Sequence, residues 1–154
     1  GGEFGQWREW TETQSLDWHL LENPLHDGMK VLLRDLNKTY VVRPPLWEVD
    51  GKSEGFEWLD VNNASENIVA FVRKSPAGKD LVCVGNFSAL DKHGYRLVVP
   101  AEGEYKLVIN SDHAIYGGSG QAVAQAINGE PGQHGRAFAT LDLPALTTLW
   151  FEAS

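Results

Sequence analysis

The first 22 residues concentrate side chains that could contact or cleave a sugar. Glycoside hydrolysis needs two carboxyl groups about 5 to 10 Å apart across the scissile bond, and tryptophan faces are common platforms for sugar rings. This stretch supplies both types, at Glu3, Trp7, Glu9, Trp10, Glu12, Asp17 and Trp18. Carboxylates also occur in any solvated loop, where they mostly form salt bridges or line the edge of a substrate site. Because nothing in this stretch fixes and tunes them, an edge role is favoured over catalysis.

Other catalytic chemistries find little support in the sequence. The segment Gly117–Gly120, GGSG, matches neither the G-x-S-x-G turn of serine hydrolases nor a phosphate loop, which requires a lysine. The only cysteine, Cys83, lies in the apolar run LVCVGNF and is predicted to be a buried core residue. None of the pair spacings of metal sites occurs among His19, His26, His93, His113 and His134. We therefore expect these histidines to be ordinary polar surface residues rather than metal ligands.

Composition limits the partners and the compartment. The formal net charge of -8 opposes binding to nucleic acid, which needs clustered lysine and arginine. Hydrophobic residues make up 42% of the chain and charged residues 22%, which is typical of one folded domain and predicts no membrane span. A single cysteine cannot form an internal disulfide, so a reducing, cytoplasmic setting is expected.

One segment predicts a helix, from about Pro24 to Val41. Asn23 can cap it and Pro24 suits its first position, while the prolines at 44 and 45 prevent its continuation. The apolar residues recur at helical spacing along one face, at Leu25, Met29, Leu32, Leu33, Leu36 and Tyr40. This stripe must pack against another surface.

After residue 45 the pattern changes to short strands separated by turns. The seven runs are FEWLDV, NIVAFVRK, DLVCVGNF, YRLVV, EYKLVIN, AFATLDL and TTLWFEA. Short β-branched and aromatic runs at this spacing predict a sandwich of antiparallel sheets. YRLVV and EYKLVI, around residues 100–103, are predicted to form a hairpin. Residues 116–136 are rich in glycine and without clear period, so they are predicted to be a long loop.

Several motifs, in the same order, resemble one enzyme family. They are GGEFGQWREW, SLDWHLLENPLHDGMKVLLRDLNKTY, GFEWLDVNNASENIVAFVRK, VCVGNFS, YRLVVPAEGEYKLVINSDHAIYGGSG, HGR and LDLPALTTLWF. Together they are similar to the C-terminal part of bacterial 1,4-alpha-glucan branching enzymes, members of the alpha-amylase superfamily. The resemblance covers essentially the whole chain.

The resemblance implies a mainly β fold: an antiparallel β-sandwich preceded by one long α-helix left over from a (β/α)8 barrel. Residues 1–43 would be the loop after the last barrel strand plus the last barrel helix, and residues 44–154 the C-terminal all-β domain. The family's catalytic carboxylates lie on earlier barrel strands, so no catalytic residue is expected in this chain, and Glu3 matches a carboxylate regarded as structural.

Six residues of the first part are then candidates for contacts with glucan. They are Gln6, Trp7, Arg8, Trp10, Asp17 and Trp18. The aromatic rings would stack on sugars and the polar groups would bond their hydroxyls. Packing between barrel and loop is the other interpretation of the same residues.

The activity implied for the longer enzyme is cleavage of an alpha-1,4-glucan and transfer of the freed chain to a 6-hydroxyl, which makes alpha-1,6 branches in glycogen. Such a transfer needs neither a metal nor an organic cofactor. The implied partners of this chain are glycogen or amylose and the missing catalytic barrel. Without that barrel, the apolar stripe of the helix should repack on the sandwich or pair with another copy, giving self-association or a poorly ordered N-terminal segment.

Two alternatives remain open from the sequence. One is the C-terminal domain of another superfamily member, such as a debranching or trehalose-forming enzyme. The other is a free-standing carbohydrate-binding β-sandwich module, which exposed coplanar tryptophans on one sheet would favour.

Overall fold

The computed structural model of the chain describes residues 1–76, 78–132 and 136–154. His134 and the HGR motif that includes it therefore lie wholly or partly outside the described residues. Within the described ranges there is one α-helix, α1, at Pro24–Val42. The strands are β1 (Phe56–Asp60), β2 (Ile68–Arg73), β3 (Leu81–Asn86), β4 (Lys92–Val99), β5 (Gly103–Asn110), β6 (Ala126–Pro131), β7 (Ala137–Leu143) and β8 (Thr147–Ala153).

Helix α1 begins and ends where the sequence indicates. The Asn23 side chain accepts a hydrogen bond from the Leu25 amide, and Pro24 occupies the first turn. The helix ends at Val42, before a 3-10 turn at Pro44–Leu46. Among the described residues, no helix has both the length and the apolar character needed to cross a bilayer.

The strands form one antiparallel arrangement in the order β1-β2-β3-β8-β5-β6-β7-β4. The order folds back on itself, because the end strands β1 and β4 contact each other. Tyr95 on β4 donates its hydroxyl proton to the Asp60 carboxylate on β1, at 3.0 Å. The result is the antiparallel β-sandwich that the strand pattern predicts.

The prediction of a continuous loop at residues 116–136 is wrong, because β6 lies inside it. Residues 126–129 pair with β5, and Glu130 and Pro131 pair with Phe138 and Ala137 on β7. This strand therefore joins the two layers. Its sequence, AINGEP, does not indicate a strand, since glycine and proline are rare inside strands.

The predicted hairpin between the fourth and fifth strands is also wrong. β4 pairs with β7, and β5 pairs with β6 and β8, so the chain crosses between layers at residues 100–103. The Tyr105 hydroxyl closes this crossing by donating to the Ala101 carbonyl at 2.9 Å and accepting from the Ala101 amide at 3.0 Å. Turn composition marks where a chain bends, but not whether the flanking strands pair.

The core lies between the two layers and is apolar. Its largest fully buried side chains include Leu97, Leu143, Leu149 and Phe151. Cys83 is 2% exposed, as the sequence predicts. Asn86 and Thr147 are fully buried polar residues. The Asn86 amide nitrogen lies 2.9, 3.3 and 2.9 Å from the carbonyl oxygens of Leu90, Leu143 and Pro144.

Half of the apolar stripe of helix α1, at Leu25, Met29 and Tyr40, remains exposed to solvent. The buried positions of the helix are Gly28 and Thr39, whereas Leu25, Met29 and Tyr40 are 66%, 43% and 49% exposed. Of the two outcomes expected for the stripe, repacking is excluded for these three side chains. Pairing with another copy stays a prediction.

Candidate functional site

The first 22 residues fold as a loop between two 3-10 turns, Gly2–Phe4 and Trp18–Glu22. Gly5 ends the first turn with φ at 68°, the left-handed region that glycine enters without strain. Phe4 is buried and stacks on Trp18, with ring centroids 5.4 Å apart. The loop therefore has an aromatic base of its own. We call residues 4–18 the rim.

Arg8 and Asp17 close the rim with a two-pronged ion pair. Arg8 Nε donates to Asp17 Oδ2 at 2.8 Å, and the second prong joins a terminal nitrogen to Oδ1 at 2.5 Å. Arg8 also donates to the Gln14 side chain and to the Ser15 carbonyl, the latter at 3.3 Å. Paired planar groups of this kind fix orientation as well as charge. Both carboxylate oxygens of Asp17 therefore accept hydrogen bonds from Arg8.

Gln6 adds a second brace across the rim. Its side-chain oxygen accepts from the Asp17 amide at 2.9 Å, and its side-chain nitrogen donates to the Arg8 carbonyl at 3.0 Å. Three of the six candidate residues, Gln6, Arg8 and Asp17, are therefore brought together in one bonded cluster.

The tryptophans of the rim face solvent. Trp7, Trp10 and Trp18 are 79%, 75% and 56% exposed. Trp7 meets the His26 ring edge-on at 5.3 Å, which leaves much of the indole surface open. Open indole faces beside fixed hydrogen-bonding groups can stack on a sugar ring and bond its hydroxyls.

Two of the carboxylates near the rim, Glu3 and Asp17, are engaged in hydrogen bonds with neighbouring groups. Glu3 is exposed, and a hydrogen bond from its own backbone lowers its pKa, so its carboxyl group is charged at neutral pH. Asp17 is held by Arg8. No group of three or more potential metal ligands forms among the residues that the structure describes.

Helix α1 contacts the rim through the side chain of His26. His26 Nδ1 lies 2.7 Å from the Phe4 carbonyl oxygen; since a carbonyl only accepts, Nδ1 carries the proton and donates it. We call residues 44–154 the β-domain. Near the same turn of α1, Gly28 contacts the backbone of Tyr116, which lies in the 3-10 turn Ala114–Tyr116 of the β-domain. The Tyr116 hydroxyl also donates to the Asp35 carboxylate at 3.1 Å, and this bond lowers the pKa of Asp35 less than its bond from Arg34 does.

His26 and Tyr116 were missed in the sequence. A lone histidine on a helix carries no spacing signal, and Tyr116 lies in a segment without a clear pattern. Gly28 was the one available signal, since a glycine inside a helix is costly unless something must approach closely.

The chain was compared with known proteins. Residues 58–154 match the family model of the alpha-amylase C-terminal all-beta domain. The 1,4-alpha-glucan branching enzyme GlgB of Rhizobium meliloti is 43% identical over 152 residues, covering 99% of this chain and 21% of the relative. That of Rubrobacter xylanophilus is 44% identical over 152 residues, covering 97% of this chain and 21% of the relative.

These matches confirm the resemblance to branching enzymes along nearly the whole chain. The chain spans about a fifth of the length of the curated relatives it matches. Among solved structures, trehalulose synthase MutB from Pseudomonas mesoacidophila MX-45 aligns with a TM-score of 0.50 and 19% identity, over 82% of this chain and 18% of that one. At this identity the likeness supports the fold alone.

Proposed function

Because the chain belongs to the family of alpha-amylase C-terminal all-beta domains, we propose that it is the C-terminal part of a 1,4-alpha-glucan branching enzyme. Such an enzyme cleaves an alpha-1,4-glucan and transfers the freed chain to a 6-hydroxyl. The observation that carries the proposal is the 43% identity to GlgB of Rhizobium meliloti across 99% of the chain. The buried, unpaired Cys83 supports a reducing, cytoplasmic setting.

This chain binds and orients glucan rather than breaking its bonds. Retaining transfer needs two carboxyl groups about 5 Å apart, one as nucleophile and one as acid and base. Those groups belong to the catalytic barrel in the longer enzyme. In the rim, Trp7, Trp10 and Trp18 stack on sugar rings, while Gln6, Arg8 and Asp17 hold the loop and bond hydroxyls at its edge.

The exposed apolar stripe of α1 is the surface that the barrel covers. Leu25, Met29 and Tyr40 lie along one face of the helix and are 66%, 43% and 49% exposed. A contiguous apolar face of this kind marks an interaction site. In this proposal residues 1–43 complete the barrel, and residues 44–154 form the domain that supports it.

The test compares the longer enzyme that carries this chain with the 154-residue chain alone. Both are incubated with amylose, and new alpha-1,6 linkages are measured by proton NMR of the anomeric region. The longer enzyme should form them and the chain alone should not. If the longer enzyme releases short oligosaccharides or trehalose without alpha-1,6 linkages, it is another member of the superfamily and the proposal is wrong.

A rim variant tests the binding role separately. In the longer enzyme, Trp7→Ala should raise KM for amylose about tenfold while kcat changes much less, because a stacking contact made equally in the ground state and the transition state contributes to binding. The matched control is Glu9→Gln, an exposed neighbour outside the candidate set. Equal kinetics in the two variants would contradict the assignment of the rim.

A carbohydrate-binding module is the second candidate, and its binding surface would be an exposed aromatic cluster on the sheet. Phe56, Trp58 and Phe71 form an aromatic cluster on the outer side of β1 and β2, with Trp58 48% exposed. The rings of Phe56 and Phe71 lie at 90° and 82° to Trp58, so they do not form a coplanar platform. Gel retardation of the chain by glycogen separates the candidates: micromolar binding that Trp58→Ala removes indicates a module, and weaker or absent binding a scaffold.

A further inference from the structure

We infer that His26 is a positioning residue through which the β-domain sets the place of the rim. Two contacts meet near the start of α1: His26 holds the rim to the helix, and Gly28 receives the β-domain. This goes beyond the proposed function, on which it rests only for the identity of the ligand at the rim.

The first step runs from the rim to the helix. His26 Nδ1 donates to the Phe4 carbonyl at 2.7 Å, and the same ring lies against Trp7. Phe4 is 3% exposed and stacks on Trp18. One side chain of the helix therefore fixes both ends of the rim, directly at Phe4 and Trp7 and through Phe4 at Trp18.

The second step runs from the helix to the β-domain. A Cβ atom on Gly28 would lie 2.6 Å from the carbonyl carbon and oxygen of Tyr116, and one on Gly117 would lie 2.9 Å from Leu25 Cδ2. Backbone and helix are thus in direct contact over the first turns of α1. A bond between the Tyr116 hydroxyl and Asp35 continues this contact along the helix.

The third step is the stiffness of the β-domain segment, residues 111–120, which we call the clasp. The Asp112 side chain accepts from the Ser119 amide at 2.7 Å and from the Ser119 hydroxyl at 2.5 Å. The Gly120 amide donates to the Asp112 carbonyl at 2.9 Å. A Cβ atom on Gly118 would overlap Asp112 at 2.3 Å, so the clasp is closed on itself. A closed loop presents Tyr116 to the helix in one fixed position.

The test uses the 154-residue chain and residue-resolved amide exchange. Three rim amides report the order of the rim, because each donates a hydrogen bond within the first 17 residues: Gly5 to Gly2, Gln6 to Gly1 and Asp17 to the Gln6 side chain. His26→Phe keeps a ring beside Trp7 but loses the donor to Phe4. His26→Asn keeps a nitrogen donor near the position of Nδ1 and loses the ring.

We expect His26→Phe to speed exchange of the three reporter amides about tenfold, the usual worth of a hydrogen bond, and His26→Asn to restore them to near the wild-type rate. The same pair of substitutions at His19, an exposed histidine in the neighbouring turn, is the control. Protection of the β3 and β8 amides shows that each variant keeps the sandwich. If both His26 variants exchange alike, whether slowly or fast, the donor does not position the rim and the inference is wrong.

Gly28→Ala tests the link to the β-domain. Its methyl group must displace the clasp, so the Tyr116 and Gly120 amides and the three reporter amides should all exchange faster, by about tenfold. If the clasp amides respond and the reporters do not, the β-domain does not set the rim. Amide exchange is measured on the 154-residue chain and branching on the longer enzyme. Failure of one prediction therefore leaves the other untouched and identifies which proposal is wrong.

Discussion

Tyr116 lies so close to Gly28 that a side chain at position 28 would occupy the same space as the Tyr116 carbonyl. The nearest atoms to an added Cβ are the Tyr116 carbonyl carbon and oxygen, both at 2.6 Å, followed by the Gly117 nitrogen at 3.0 Å. Backbone atoms of a closed loop cannot rotate away as a flexible side chain can. The glycine is therefore required by packing, not by its own dihedral angles.

Gly28→Ala should lower the free energy of unfolding by about 2 kcal/mol, the typical cost of overpacking a tight contact. The sign is informative, because helix propensity alone predicts a gain of about 1 kcal/mol from glycine to alanine. Urea unfolding followed by circular dichroism measures the change. The control is Gly51→Ala, where an added Cβ meets no atom within 4 Å. Stabilisation by Gly28→Ala would mean that the clasp does not contact the helix as described.

Asn86→Asp should destabilise the chain by about 3 kcal/mol. The Asn86 nitrogen faces three carbonyl oxygens, at Leu90, Leu143 and Pro144, and its oxygen accepts from the Ser88 amide and hydroxyl. An aspartate keeps the second role but puts a buried charge against the carbonyls. Thermal unfolding at pH 7 measures the loss.

The exposed Asn37→Asp is the control for that substitution, since it makes the same chemical change on the surface of α1. A surface change of this kind usually alters the free energy of unfolding by less than about 0.5 kcal/mol. Equal effects of the two variants would show that the buried amide of Asn86 is not the anchor of the β3 end.

Alkaline pH should destabilise the native chain through Cys83. Burial raises the pKa of this thiol from 9.0 to about 12. The folded state therefore keeps a proton that the unfolded state loses above pH 9, and stability falls as the pH rises from about 9 towards 12. Burial, aided by the bond to Asp60, also raises the pKa of Tyr95 to about 12, which adds to the effect from pH 10 upward.

Comparing the urea midpoints of wild type and Cys83→Ala at pH 8 and pH 10.5 isolates the thiol. Every other titrating group is common to the two proteins, so the wild type should lose more stability between these pH values. The variant starts lower, because a buried side chain has been shortened, but its decline should be shallower. Parallel declines would show that the thiol ionises equally in both states.

Met29→Lys should weaken self-association of the 154-residue chain. Met29 is 43% exposed on the uncovered stripe, and lysine places a charge there while keeping helix propensity. Sedimentation equilibrium over a range of concentrations measures the effect. The control is Val61→Lys, which adds the same charge at an apolar side chain that is 61% exposed just after β1. If neither variant alters the mass, or if the wild type is monomeric throughout, the stripe does not pair copies of this chain.

The helix and seven of the strands could be predicted from the sequence because their signals are local. Asn23 and Pro24 begin α1 by capping and backbone geometry, and each of the seven predicted runs contains β-branched or aromatic residues that favour strands. These preferences act within a few residues and survive in the folded chain.

The pairing of strands could not be predicted, because it depends on contacts far apart in sequence. β6 carries Gly129 and Pro131 and forms only because β5 and β7 supply partners on its two sides. Gly129 is needed there, since an added Cβ would lie 2.5 Å from the Ala101 carbonyl oxygen, across the layer crossing. No local sequence pattern indicates that the backbone at Gly129 will contact the backbone at Ala101.

The candidate site was predictable in its composition but not in its construction. Tryptophans and charged groups in the first residues indicated a rim, yet nothing in the sequence joined Arg8 to Asp17 or Gln6 to both. The supports are more distant still: His26 lies 22 residues from Phe4, and Tyr116 lies 81 residues from Asp35.

The buried amide of Asn86 also determines how the chain would behave in a eukaryotic secretory host. Asn86, Phe87 and Ser88 spell an acceptor for N-linked oligosaccharide. Transfer needs a free amide nitrogen, and in the native protein that atom is enclosed by backbone. An oligosaccharide could be attached to Asn86 only while the polypeptide is unfolded, and it would then prevent β3 from packing in the sandwich. Its presence would mark molecules that were modified before they could fold.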